Sequence, residues 1–258
     1  MMHKITQLLR ENAKRERTPL NLIQSKGSAD STLYLYDVID AYWGIGAKDV
    51  AHAVASANPK GTLHLRINSP GGDVFEARAI ATAIREFGGK VVAHVDGLAA
   101  SAATTIACAA GERVMGPGSF FMIHNAWSMA FGNKADMIEM ASLLDKIDGD
   151  IVADYARVSG ATPAQIAAWM DAETWMTADE ALTNGFATSL AVDPDGDGDD
   201  DSKGGDDADG DKKTASARWN LAAYNHAPKA LTEAVVPGPD FGAIHANNCR
   251  RLQLLRIS

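Results

Sequence analysis

The chain has 258 residues, 46% of them hydrophobic, enough for one large domain with a sizeable core. Its two cysteines, Cys108 and Cys249, exclude a disulfide framework, and Cys108 in an apolar run reads as a buried thiol suited to a reducing compartment. The net charge of −9 is concentrated: residues 193–212 hold ten Asp and two Lys, supplying −8 and leaving −1 for the remainder, so the body lacks the basic surface that nucleic acid requires.

Residues 1–30 are polar with scattered charges, carry no apolar stretch of signal-peptide length, and read as a flexible N-terminal arm. Residues 31–192 carry dense, regular patterning and form the expected domain. Thr32–Val38 alternates like a strand, Ala47–Ser56 has helical spacing, and Gly61–Asn68 alternates again. Val74–Phe87 is helical, Val91–Val95 a strand, Ser101–Ala110 a helix and Ser119–Ile123 a strand. The apolar run from Val91 to Ala110 approaches membrane-span length, but His94, Asp96 and Gly97 interrupt it. A buried strand followed by a buried helix is the expectation, in a soluble protein. Strands alternating with helices predict an α/β fold with largely parallel pairing.

From Lys134 to Ser159, apolar residues recur at Met137, Met140, Leu144, Ile147, Ile151, Tyr155 and Val158, with Asn133 as N-cap and Gly160 as the left-handed stop. A helix of about 25 residues spans roughly 38 Å, more than a core of this size needs, and predicts packing against another subunit. Thr162–Gln165 and Thr177–Glu180 have capping-box spacing and open two short helices. The Asp/Gly-rich tract of residues 193–212 reads as a disordered linker, because it has no apolar residue to bury beyond Ala208. Asp193, Asp195, Asp197 and Gly198 match the opening of a calcium loop, but its twelfth position is Gly204 instead of a bidentate Glu. Residues 213–258 form a tail without a clear period.

Two turns can carry chemistry. Asn68-Ser69-Pro70-Gly71-Gly72-Asp73 joins a strand to a helix, and its adjacent glycines leave backbone N–H groups open toward a developing negative charge. An ordinary tight connection would look the same. In Asp96-Gly97-Leu98-Ala99-Ala100-Ser101-Ala102-Ala103, small residues crowd around one serine where an apolar strand meets a helix. Ser101 could simply cap that helix. It could also be a nucleophile, with the Ala102 N–H favouring an oxyanion. A serine nucleophile needs a base, and His124 is the best placed of seven histidines, at the end of an apolar strand where the crevice of an α/β fold opens. His64 and His94 lie within strands and read as structural. Asp171 and Glu173 are both candidates for the acid that orients the histidine, and spacing does not choose between them.

The segments INSPGGDVFEARAI, DGLAASAATTIACAAG, FFMIHNAW and ETWMTADEALTNGFA resemble, in that order, the signature regions of Clp protease proteolytic subunits. The likeness runs from about Leu33 to Leu190. Asp73 after the double glycine, Asn125-Ala126-Trp127 after the histidine, and Glu173-Thr174-Trp175 resemble the bacteriophage and prophage branch of Clp-like head-maturation proteases. The resemblance implies a crotonase-like fold of repeated strand-strand-helix units with the long helix as a handle. It implies a triad of Ser101, His124 and Glu173, with Asp171 as fallback because most housekeeping members carry Asp where Glu173 stands. It further implies an oxyanion hole at the N–H groups of Gly72 and Ala102, and extended substrate bound near Gly71, Gly72 and Asn125. The implied partners are polypeptides such as capsid or scaffold precursors, copies of the chain in rings, and a Clp-type ATPase unfoldase, in the bacterial cytoplasm or the phage prohead. That chemistry calls for no metal or organic cofactor, and no membrane. Two rival readings are an acyl-CoA enzyme of the crotonase type, which would use an acidic residue in place of Ser plus His, and a non-catalytic capsid scaffold or ring protein.

Overall fold

The computed structural model describes residues 20, 22–192, 221, 224–228 and 231. The expected Asp/Gly-rich linker lies outside them, as does most of the N-terminal arm and most of the tail. Eight strands are present among the described residues: β1 (Leu22–Gln24), β2 (Ser31–Leu35), β3 (Thr62–Ser69), β4 (Lys90–Ala100), β5 (Glu112–Met115), β6 (Phe120–Ile123), β7 (Thr174–Thr177) and β8 (Ser189–Leu190). The helices among the described residues are α1 (Ala47–Ser56), α2 (Val74–Arg85), α3 (Ala102–Ala107), α4 (Lys134–Ser159), α5 (Pro163–Asp171) and α6 (Ala178–Thr183). This is the α/β architecture expected from the alternating pattern, and β4 followed by α3 accounts for the long apolar run. Among the described residues no helix is long and apolar enough to cross a membrane.

One correction falls at the N-terminal end. Leu22–Gln24, assigned to the arm on composition, is an edge strand pairing antiparallel with β2. Backbone groups of a neighbouring strand can recruit such a segment whatever its polarity. The strands β5, β7 and β8 have 4, 4 and 2 residues, too short for a period-2 signal to stand out.

The sheet runs β1-β2-β3-β4-β5-β8, and a branch adds β6 beside β4 and β7 beside β6. The branch arises because β4, 11 residues long, serves two neighbours in turn. Val92–Val95 pairs with β5, and Leu98–Ala100 pairs with β6. A register irregularity between Ile67 and Ser69 accompanies the change in direction. The alternating burial of β3, in which Leu63, Leu65, Ile67 and Ser69 face inward, places one side of the sheet against α2 and α3. There Ile80, Ile84 and Ile106 are fully buried.

Phe121 from β6 and Phe186 pack with ring centroids 5.2 Å apart, and both are inaccessible to solvent. They join the branch to the main core. Phe121→Ala should therefore cost about 3–5 kcal/mol, read as a lowered urea midpoint with little change in slope.

The long helix α4 has the predicted bounds. Asn133 caps it through a full capping box with Asp136, and Gly160 ends it at φ 77°. Along its 26 residues only Ile151 and Tyr155 are buried, while Met137, Ile138 and Leu143 in its first half are exposed.

Candidate active site

Hydrogen bonding between strands dictates which residues meet. Parallel pairing sets Leu98 beside Phe120, Ala99 beside Phe121 and Ala100 beside Met122, and the ladder continues with the Ser101 N–H donating to the Met122 carbonyl at 2.9 Å. Ser101 and His124 thus leave adjacent strands at the same, C-terminal edge, where open α/β sheets place their ligands. His124 Nε2 and Ser101 Oγ lie 2.7 Å apart. Antiparallel pairing of β6 with β7 sets Ile123 opposite Thr174, so the next residue outward on each strand brings Glu173 to the side of His124.

The backbone at Ser101 is strained in a directed way. Its φ of 53° and ψ of −125° lie where residues with a Cβ are rarely found. This sharp strand-to-helix turn holds the hydroxyl out of the core, a geometry that suits an exposed nucleophile. Thr104 secures the turn by donating through its N–H (2.9 Å) and its hydroxyl to the Ser101 carbonyl, and the same hydroxyl meets Tyr155 of α4. Among the described residues the only other non-glycine with positive φ is Glu173, at 49°.

The double-glycine turn packs directly onto this elbow. A Cβ on Gly71 would stand 2.5 Å from the Ala100 carbonyl oxygen and 2.8 Å from Ser101 Cβ, and one on Gly72 would collide with the Ile39 carbonyl. Only glycine permits the approach. The turn is clamped from the other side: the Ile39 N–H donates to the Gly71 carbonyl and the Asp73 N–H to the Ile39 carbonyl, both at 2.8 Å. Asp73 accepts from the N–H groups of Phe75 and Glu76, so it caps α2. No acceptor among the described residues takes the N–H of Gly72 or Ala102, which leaves two donors beside the serine.

Burial pushes the His124 imidazolium well down, to about 4, against the smaller opposing pull of the Glu173 charge. At neutral pH the ring is therefore uncharged and Nε2 can accept a proton. Glu173 is buried, yet no hydrogen bond joins it to His124 among the described residues. Its oxygens accept instead from the Asn225 N–H (2.8 Å), the His226 N–H (2.7 Å) and Trp175 Nε1 (3.2 Å). Asp171, the fallback acid, accepts from Asn125 Nδ2 at 2.7 Å. That bond draws both residues into the support of the loop after β6, which Asp148 of α4 also holds through the Ala126 N–H. His64 and His94 bond each other at 3.0 Å, in keeping with a structural role.

Sequence reasoning did not find Trp175 or the tail residues. Tyr224 lies edge-on to His124 with ring centroids 5.2 Å apart, its hydroxyl donates to the Pro70 carbonyl, and it also contacts the Ser101 side chain. The available signal was Leu221, Tyr224 and Leu231 in an alanine-rich stretch without a clear period.

The titration of His124 has a consequence for stability. Its folded value lies below the ordinary 6.5, so between about pH 6.5 and 4 the unfolded chain binds more protons than the native one. The corresponding stability, on the order of 3 kcal/mol, is complete above pH 6.5 and is lost as pH falls toward 4. Urea midpoints should drop more steeply across that window for wild type than for His124→Gln. Equal slopes would contradict the partly buried, uncharged ring.

Comparison with known proteins identifies relatives of this arrangement. The family model for Clp protease matches residues 46–193. The ATP-dependent Clp protease proteolytic subunit of Bacteroides fragilis is 28% identical over 183 residues, covering 69% of this chain and 88% of that one. The corresponding subunit of Streptococcus gordonii is 35% identical over 132 residues, covering 50% and 67%. Among solved structures, a ClpP1 point mutant from Listeria monocytogenes superposes with a TM-score of 0.56 at 25% identity, covering 64% of this chain and 92% of that one.

Proposed function

This chain belongs to the Clp protease family of serine peptidases, and we propose that it is an endopeptidase with Ser101 as nucleophile, His124 as general base and Glu173 as the orienting acid. The observation that carries this assignment is the 2.7 Å contact between Ser101 Oγ and His124 Nε2, made at a strained elbow with free backbone donors alongside.

In the proposed reaction the Ser101 oxygen bonds to the scissile carbonyl carbon while its proton passes to His124 Nε2. The carbonyl oxygen, now negative, is held by the N–H groups of Gly72 and Ala102. His124 then returns the proton to the amine nitrogen as the C–N bond breaks. Water, deprotonated by the same histidine, attacks the acyl-enzyme and restores the serine. The low affinity of His124 for a proton when buried keeps it in the accepting form, and Glu173 would stabilise the imidazolium once it forms. The scheme uses no metal and no organic cofactor.

The substrate class is extended polypeptide, laid beside Gly71-Gly72 and the end of β6. Capsid or scaffold precursors are the proposed natural substrates, supported by Asp73, Asn125-Ala126-Trp127 and Glu173-Thr174-Trp175. Self-association through α4 is also proposed, supported by exposed Met137, Ile138 and Leu143 on a helix that buries little of itself within its own subunit. A Clp-type ATPase is a further proposed partner, since the relatives are named as ATP-dependent.

Ser101→Ala and His124→Ala should each reduce hydrolysis of an unfolded protein such as casein by at least about 10³-fold, with circular dichroism unchanged. Undiminished cleavage by purified Ser101→Ala would refute the assignment. Leu143→Asp should lower the assembly size seen by light scattering. An unchanged size would exclude that face of α4 as a contact.

A further inference from the structure

The described residues of the C-terminal tail are seated on the active site, and their contacts are specific. Leu221 is buried in an apolar pocket made by Leu98 and Ala100 of β4 and Met122 of β6, with Phe120, Trp175, Tyr224, Ala227 and Leu231 packed around it. Tyr224 is wedged between Trp175 and His124, edge-on to both at centroid distances of 5.7 and 5.2 Å. Its hydroxyl meets the Ser101 side chain and the Pro70 carbonyl. The next two residues present consecutive backbone N–H groups to the two oxygens of Glu173, and the His226 ring lies 3.1 Å from the Ala172 carbonyl.

We propose that Leu98, Ala100, Met122, Trp175 and Glu173 form a binding site for an apolar-aromatic peptide, whose resident ligand is this chain's own tail, seated through Leu221, Tyr224–Pro228 and Leu231. While seated, that segment slows the peptidase, and the fraction of molecules with the segment released carries the activity. The proposal rests on the peptidase reading given above.

Two physical consequences of the seated segment produce the slowing. An attacking serine needs the carbonyl carbon within roughly 3–3.5 Å, and the Tyr224 ring and hydroxyl occupy the approach to Ser101 and His124. The carboxylate of Glu173 is also committed: both oxygens accept from the tail, and the hydrogen bond that would orient His124 is not made. The segment is built as an inhibitor and not as a substrate. Its described backbone bonds close on themselves, from the Tyr224 N–H to the Leu221 carbonyl at 3.0 Å and from the Leu231 N–H to the Pro228 carbonyl at 2.9 Å. An extended substrate would instead pair its backbone with the neighbouring strands. Release of the segment opens the pocket to apolar side chains of substrate and frees Glu173 for His124.

The test uses the full chain in three forms: wild type, Leu221→Asp with Tyr224→Ala, and Asn225→Pro, which removes one donor to Glu173 while keeping the Leu221 and Tyr224 side chains. Hydrogen–deuterium exchange reads whether the segment is seated, and the rate of Ser101 labelling by a fluorophosphonate reads whether the site is open. Wild type should show protected amides at residues 225 and 226. The double variant should lose that protection and label at least tenfold faster, with Asn225→Pro in between. Unprotected amides in wild type would overturn the proposal. So would labelling that is measurable but equal or slower once the segment is released, an outcome that leaves the peptidase reading intact. Absence of labelling in all three forms would overturn both.

Discussion

Parallel pairing of Leu98–Ala100 with Phe120–Met122 is the constraint on which the rest of this molecule depends. Side-chain period in a strand is two, so a slip of one residue would turn each side chain to the opposite face. In the observed register Ser101 and His124 emerge together, and the antiparallel partner β7 brings Glu173 to the same edge. Three residues far apart in sequence therefore converge because backbone hydrogen bonds count out the distance. The buried pair of Phe121 and Phe186 holds that register against the core.

The chemistry then requires local strain and local openness together. Ser101 is held at a backbone conformation that most residues avoid, and Gly71 and Gly72 supply the absence of side chain that lets another turn press against it. These features are costly, and the bonds around them over-determine the geometry: Thr104 and Tyr155 on one side, Ile39 on the other. Burial of His124 belongs to the same arrangement. It leaves the imidazole uncharged at neutral pH, the form a general base must have.

Much of the core arrangement was legible in the sequence. Period-2 and helical spacing located β2, β3, α1 and α2, and the capping residues Asn133 and Gly160 gave the bounds of α4. The glycine pair and the serine flanked by alanines marked the two turns, although each taken alone also fitted an ordinary connection or helix cap. The choice between Asp171 and Glu173 was not legible from spacing, since it depends on the pairing of β7, a strand of 4 residues. Leu22–Gln24 was missed because an edge strand needs a neighbour more than it needs a pattern. The contacts of Leu221 and Tyr224 were invisible for a related reason: apolar residues without a clear period acquire meaning only when a pocket elsewhere in the chain is there to receive them.

The central claim is that Ser101, activated by His124, faces two backbone donors placed for a negative oxygen. A crystal structure of the full chain after reaction with a small fluorophosphonate examines all of it at once. The account predicts phosphorus bonded to Ser101 Oγ, with the phosphonyl oxygen about 2.7–3.1 Å from both the Gly72 and Ala102 nitrogens. An adduct on another residue, or a phosphonyl oxygen directed into solvent away from both donors, would contradict it.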